Sequence, residues 1–145
     1  MKNWTFRRWN TVLGWVVFVI AFFTYLSTIE PNFSFWDCGE YISSAVKLEV
    51  THAPGAALFQ IVGAVAAMFA LGNGENYSIV INAMSALFSA FTILFLFWTI
   101  THLVRRLLNK DFDEITKHQE ISILFAGVVG ALCFTFSDTF WFSAV

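Results

Sequence analysis

The chain holds 145 residues, 58% of them hydrophobic and only 12% charged, with a mean hydropathy of +0.69; soluble domains carry roughly 45–50% apolar residues on a similar count. A protein of 16.4 kDa has no core large enough to hide that much apolar surface, which excludes a water-soluble globule, and 19% aromatic residues exclude intrinsic disorder. The formal net charge of −2 gives no basic field, so no nucleic-acid partner is expected.

Crossing a hydrocarbon layer of about 30 Å takes roughly 17–25 apolar residues as helix. The run 9–29 carries no charge and follows Lys2, Arg7 and Arg8. It is too long for the core of a cleaved signal peptide and has no small-x-small cleavage site, so it reads as a signal anchor with a cytoplasmic N-terminus. Trp4 and Trp9 stand where an interfacial aromatic belt would sit. Pro31 stops the helix. From 39 to 50, Tyr41, Ile42, Ala45, Val46 and Leu48 recur at helical spacings against Glu40, Ser43, Ser44 and Lys47, which predicts a short helix lying in the outer interface.

The run 50–74 is weaker, because Thr51, His52, Pro54 and Gly55 occupy its start and Leu71-Gly72-Asn73-Gly74 closes it. The run 76–104 is long and rich in Phe, Leu and Ile, with Arg105 and Arg106 directly after it. The run 121–137 is at the short end for a span, and its Ala126/Gly130 and Gly127/Ala131 pairs suit close helix packing.

Charge asymmetry decides whether 50–74 crosses. If it does, Lys47, Arg105, Arg106, Lys110 and Lys117 lie outside against Lys2, Arg7 and Arg8 inside; if it does not, only Lys47 is outside. The positive-inside rule prefers the second arrangement. The expected architecture is therefore an all-α integral membrane domain with three transmembrane helices at about 10–29, 78–102 and 120–137. An outer loop covers 30–77 and holds the interfacial helix and a hydrophobic juxtamembrane or re-entrant helix at 54–71. A mixed-charge cytoplasmic connector covers 103–119. Backbone at membrane depth that does not cross must be helical or packed on protein.

Under this topology Asp37, Glu40, His52 and Asp138 share the outer face. Asp37-x-x-Glu40 has the spacing of a capping box, in which the first side chain satisfies orphan N–H groups and the second reaches back. The same two carboxylates, beside Trp36 and Tyr41, would also suit sugar binding or removal of a proton from an acceptor hydroxyl. His52-Ala53-Pro54-Gly55 is ordinary helix-entry sequence, and it places an imidazole at phosphate depth, able to donate to a lipid-linked phosphate. Asp37, Glu40 and His52 are possible metal ligands, but their spacing argues for no metal site. Asn82 and Ser85, one turn apart, suit hydrogen bonds to a neighbouring helix. Asp138 marks the outer boundary of the last span. Cys38 and Cys133 are too few for a disulfide framework and lie at different depths.

Taken in order, "EPNFSFWDCGEYI", "THAPGAALF", "NGENYSIVINAMSALFSA" and "SDTFWFSAV" resemble the N-terminal part of an integral-membrane family, domain of unknown function 2723. That family is grouped with protein O-mannosyltransferase-like enzymes of the GT-C glycosyltransferase superfamily. The resemblance runs from about Gly14 to Val145, and its most specific pieces are Trp36-Asp37-x-Gly39-Glu40 and His52-x-Pro54-Gly55. It implies the N-terminal part of a GT-C-type fold, whose enzymes move a sugar from a polyprenyl-phosphate carrier at the outer face.

Asp37 matches the acidic position that activates or orients the acceptor hydroxyl, with Glu40 supporting it as the second catalytic carboxylate. His52, Pro54 and Gly55 match the turn near the carrier phosphate, where Ala53 stands in place of a second proline. Trp36 and Asp138 complete the expected substrate contacts, and no metal or cofactor is expected.

The expected function is transfer of a sugar, with mannose suggested by the resemblance, from a polyprenyl-phosphate donor in the membrane lipid to a protein or other hydroxyl acceptor. The expected setting is a multi-pass protein of a bacterial inner membrane. Family members are several times longer, so a fragment is expected. The alternative is a non-catalytic membrane subunit or scaffold that docks a larger partner. A transporter is disfavoured, because no span carries an intramembrane charge.

Overall fold

The computed structural model describes residues 2–32, 37–53, 55–108 and 115–145, with side chains from Phe6 onward. Every regular element among the described residues is helical: α1 Lys2–Thr28, α2 Cys38–Lys47, α3 Ala57–Ala67, α4 Tyr77–Leu107, α5 Lys117–Thr135 and α6 Asp138–Ala144, with 3₁₀ turns at Met68–Ala70 and Gly74–Asn76. Three helices are long and apolar enough to cross a membrane: Phe6–Thr28, Gly74–Leu107 and Lys117–Thr135. Their outward faces carry Phe23, Phe95 and Phe125 at 64%, 59% and 67% exposure, a pattern that only a hydrocarbon solvent tolerates. The protein is an all-α, multi-pass membrane protein.

The apolar stretch after His52 forms α3 and the following 3₁₀ turn, Ala57–Ala70. At about 1.5 Å per α-helical residue and about 2 Å per 3₁₀ residue it extends roughly 22 Å, short of a hydrocarbon core of about 30 Å. Length alone keeps it from being a span.

The three long helices pack as a bundle in which α4 is antiparallel to both neighbours. Against α1, Trp98 Nε1 donates to the Asn10 carbonyl at 3.3 Å, and the Phe18 and Phe91 rings sit 4.8 Å apart. Further along, Asn82 Nδ2 donates to the Glu30 carbonyl at 2.8 Å. Close approach depends on missing side chains. A Cβ at Gly14 would lie 2.7 Å from Trp98 Nε1, one at Gly127 2.6 Å from Thr101 Cγ2, and one at Gly130 2.7 Å from Ile100 Cδ1. Ala21, Ala86, Ala90 and Ala131 are fully buried along the same seams. Lipid tails are as apolar as leucine, so helices in a membrane associate through this kind of small-residue packing.

At one end of the bundle the chain builds a cap. Between α5 and α6 the helix breaks at Phe136 and Ser137, and α6 folds back, with Trp141 Nε1 donating to Thr28 Oγ1 at 3.0 Å. Tyr25 Oη donates to the Thr135 carbonyl at 3.1 Å, which satisfies a backbone acceptor that the end of α5 would otherwise leave open. On the same end α2 and α3 pack together, so closely that a Cβ at Gly63 would come within 2.9 Å of the Ala45 Cβ. Ile42, Ala45, Ala67 and Ile81 form a second apolar cluster that seats this pair on α4.

Candidate functional site

The cap positions three of the residues singled out from the sequence. α2 begins at Cys38 and ends in a left-handed reversal, where Leu48 has φ 55° and ψ 41°. The Glu49 N–H bonds to the Ser44 carbonyl at 2.9 Å and the Leu48 N–H to the Ala45 carbonyl at 3.3 Å. This is a Schellman pattern with leucine where glycine is usual, and it sends the chain back along α2. The return brings His52 to the first turn of that helix.

Glu40 then holds His52 at two levels. Its Oε1 accepts from the His52 backbone N–H at 2.9 Å, and its Oε1 and Oε2 lie 3.1 and 3.0 Å from His52 Nδ1. On the far side of the ring, His52 Nε2 is 3.7 Å from Asp37 Oδ2. Tyr41 meets the imidazole edge-on at a centroid distance of 6.1 Å. The His52 carbonyl accepts from the Gly55 N–H at 2.9 Å, closing a tight turn in which Gly55 adopts φ 65°.

The expected capping box is not formed. Asp37 is the N-cap residue of α2, but its side chain makes no cap hydrogen bond, and Glu40 is engaged with His52 instead. The backbone N–H of His52 is a better-placed donor for Glu40 than the N-cap N–H, so a residue twelve positions away displaces the local partner. Asp37 is left with its carboxylate open to solvent, at 59% side-chain exposure. A capping box does occur elsewhere: Thr116 Oγ1 accepts from the Gln119 N–H while Gln119 Oε1 accepts from the Thr116 N–H at the start of α5.

The electrostatics follow from the clamp. Glu40 is held below the usual carboxylate range, first by the His52 backbone N–H and then by the His52 ring. His52 is raised above its ordinary value by the hydrogen bond to Glu40 and then by the charges of Glu40 and Asp37. The ring is thereby fixed with Nδ1 toward Glu40, leaving Nε2 facing Asp37. Among the described residues no group of three or more His, Cys, Asp or Glu side chains is arranged to hold a metal ion. The described cysteines, half-buried Cys38 and exposed Cys133, are both free.

An apolar groove of about 540 Å³ opens between α3, α4 and α6, lined by Leu58, Phe59, Val62, Met84, Phe88 and three serines, Ser85, Ser89 and Ser143. Phe59 connects it to the cluster, because its ring meets that of Tyr41 edge-on at 5.7 Å. A polar triad and a greasy channel therefore share one wall. Behind that wall, Gln60 Nε2 donates to Ser44 Oγ at 3.1 Å. Gln60 Oε1 and Thr51 Oγ1 are buried with no hydrogen-bond partner among the described residues. Sequence reading passed over Gln60, for which a lone amide in an otherwise apolar helix was the available signal.

The remaining expected residues stand apart. Asn82 ties the bundle to the segment after α1, donating to the Glu30 and Asn32 carbonyls at 2.8 and 3.3 Å, whereas Ser85 lines the groove. Asp138 is exposed in the first turn of α6. No hydrogen bond or ion pair joins it to Asp37, Glu40 or His52 among the described residues. Trp36 and Pro54 lie outside the described residues.

A family model described as the protein O-mannosyl-transferase TMEM260 N-terminal domain matches residues 37–145, a stretch that opens on Asp37 and takes in the whole clamp and groove. No curated protein matches the chain, and no solved structure does. With three quarters of its length covered by that one model, the chain belongs to the family of the protein O-mannosyl-transferase TMEM260 N-terminal domain.

Proposed function

We propose that this domain is the acceptor-activating and carrier-binding part of a membrane glycosyltransferase of GT-C type. The enzyme would move a sugar, mannose by the family's description, from a polyprenyl-phosphate donor to a hydroxyl of a protein acceptor at the membrane face that carries α2 and α3. The observation that carries this reading is the Asp37, Glu40 and His52 cluster joined through Tyr41 and Phe59 to an apolar groove. A carrier with a charged head and a hydrocarbon tail is a ligand that such a pairing suits.

Each residue then has a defined part. Asp37, uncommitted to capping, is the carboxylate free to take the proton of the acceptor hydroxyl as the hydroxyl oxygen bonds to the sugar's anomeric carbon and the carrier phosphate leaves. Glu40 positions His52. His52, the one member of the cluster able to carry positive charge, offers Nε2–H to the leaving phosphate, where charge develops during transfer. The prenyl chain occupies the groove under Leu58, Phe59 and Phe88. The arrangement on one membrane face, with the N-terminus on the other and cytoplasmic, accords with the distribution of basic residues.

The test is transfer from polyprenyl-phosphate mannose to a Ser/Thr acceptor peptide by membranes containing the protein. Asp37→Ala should lower the rate by about 100-fold or more, the usual scale of a lost general base. His52→Ala should raise the KM for the lipid donor more than it lowers kcat. Normal transfer by Asp37→Ala, with the protein inserted in normal amount, removes the assignment.

A further inference from the structure

At the opposite end of the bundle from the clamp, α1 and α4 enclose a second cavity of about 350 Å³ lined by Phe6, Arg7, Asn10, Thr11, Trp98, Thr101, His102 and Arg105. Its chemistry differs from that of the groove. Two guanidinium groups, an imidazole, an amide and two hydroxyl-bearing residues converge there, at the depth where α1 enters and α4 leaves the apolar layer. Trp98 is part of the lining, its Nε1 donating to the Asn10 backbone carbonyl at 3.3 Å. Asn10 Oδ1 is buried with no hydrogen-bond partner among the described residues, an acceptor that a headgroup hydroxyl or ammonium, and not a phosphate oxygen, would satisfy. No acidic side chain lines the cavity among the described residues.

We propose that this cavity binds a phosphate-bearing anion, and that in the membrane the anion is the headgroup of a phospholipid in the leaflet next to the N-terminus. Arg7 and Arg105 approach from two helices, so a phosphate between them is met by planar N–H forks of the kind that grip its oxygens in pairs. Both arginines already take part in another interaction within the chain, and with five N–H donors each they can keep that partner while binding phosphate. His102 supplies a further polar group at the rim. Thr11 Oγ1 donates its one proton to the Arg7 carbonyl at 3.0 Å, so toward a headgroup it can only accept, from an ammonium or a hydroxyl. Basic pockets between transmembrane helices at the cytoplasmic boundary are a recurring way of holding lipid phosphate. The bound lipid would lock α1 to α4 at the end away from α2 and α3. The proposal is independent of the sugar-transfer reading, since it uses none of the same residues.

The experiment measures thermal unfolding of the chain in phosphatidylcholine nanodiscs, with and without phosphatidylglycerol, and separately with inorganic phosphate added. Phosphatidylglycerol should raise Tm by on the order of 5 °C. The rise should be lost in the double variant R7Q/R105Q and kept in R106Q, whose side chain lies outside the cavity. An equal rise on inorganic phosphate alone, with the same arginine dependence, supports the anion site and assigns it to free phosphate rather than lipid. No rise with either probe overturns the proposal, and so does a rise that R106Q loses as fully as R7Q/R105Q, which would mark a general surface-charge effect. A readout that needs no variant is labelling of the unaltered chain by a phospholipid with a photoreactive headgroup. Crosslinks are expected within residues 6–11 and 98–105, and crosslinks confined to other segments overturn the proposal.

Discussion

Glu40 grips His52 by both main chain and ring, its Oε1 lying 2.9 Å from the backbone nitrogen and its two oxygens 3.1 and 3.0 Å from Nδ1. One carboxylate thus fixes both the backbone of the returning chain at His52 and how its imidazole is turned. The contact joins residues twelve positions apart, and Leu48, in a left-handed conformation, makes the reversal between them.

The pH dependence of the clamp follows in sign from the two shifts. His52 is raised above 6.5 in the folded protein, so its contribution to stability is complete below about pH 6.5 and is lost as pH rises through the raised value. Glu40 is lowered below 4.5, so its contribution is complete above that pH and is lost as pH falls through the lowered value. The clamp is at full strength between about pH 4.5 and 6.5. In Glu40→Gln the amide oxygen still accepts from the His52 N–H, but the charge is gone. Proton NMR titration of His52 in this variant should show the imidazole midpoint falling toward its ordinary value, and a midpoint equal to that of the unaltered protein contradicts the geometry.

Gly127 tests the helix packing. A Cβ there would sit 2.6 Å from Thr101 Cγ2 and 2.9 Å from Phe97 Cε2. Gly127→Ala must push α5 from α4 or force both side chains off their rotamers, at a cost of about 1–3 kcal/mol. Gly74→Ala is the matched comparison, because nothing lies within 4 Å of its added carbon. Thermal denaturation in detergent should lower Tm clearly for the first and hardly for the second.

These contrasts show what the sequence discloses and what it withholds. Three spans were legible because crossing a bilayer needs a run of apolar residues whose length is set by the membrane, and the short stretch after His52 falls below that length. The seams at Gly127 and Gly130 are legible in the four-apart pairs Gly127/Ala131 and Ala126/Gly130. Gly14 and Gly63 were not, since each matters only through the residue it meets on another helix, Trp98 and Ala45. Asp37 and Glu40 stand out in the sequence as a pair, and the structure brings both of them to His52; local spacing suggests a capping box, where Glu40 instead meets a donor twelve positions away. The sequence ends the last span near Ser137 with Asp138 at its outer boundary, but it does not disclose the seven-residue α6 beyond, because one break at Phe136 and Ser137 is enough to turn an apolar segment back on the bundle.

Asn82 anchors the segment that leads into the site. Its amide donates to the Glu30 and Asn32 carbonyls, two acceptors just past the end of α1. Asn82→Leu removes both bonds and should cost about 0.5–1.5 kcal/mol for each. Asn82→Asp should be worse, because it sets a carboxylate against two carbonyl oxygens. Hydrogen exchange around residues 29–32 is expected to speed up in both variants while the middle of α1 keeps its protection.

Asp37 separates a structural role from a chemical one. An N-cap aspartate whose side chain bonds the first turn loses about 0.5–2 kcal/mol on replacement by alanine. Here the side chain makes no such bond, and its ion-pair partner, His52 Nε2, is 3.7 Å away with both side chains open to solvent. Such an exposed, solvent-screened pair contributes little to stability. Asp37→Ala should therefore leave Tm almost unchanged while transfer activity collapses. Thr116→Ala, which breaks the capping box at the start of α5, should behave in the opposite way, lowering Tm with little effect on catalysis. If Asp37→Ala instead destabilises the protein as much as Thr116→Ala does, the carboxylate is serving the helix, and its availability for an acceptor hydroxyl is lost with that result.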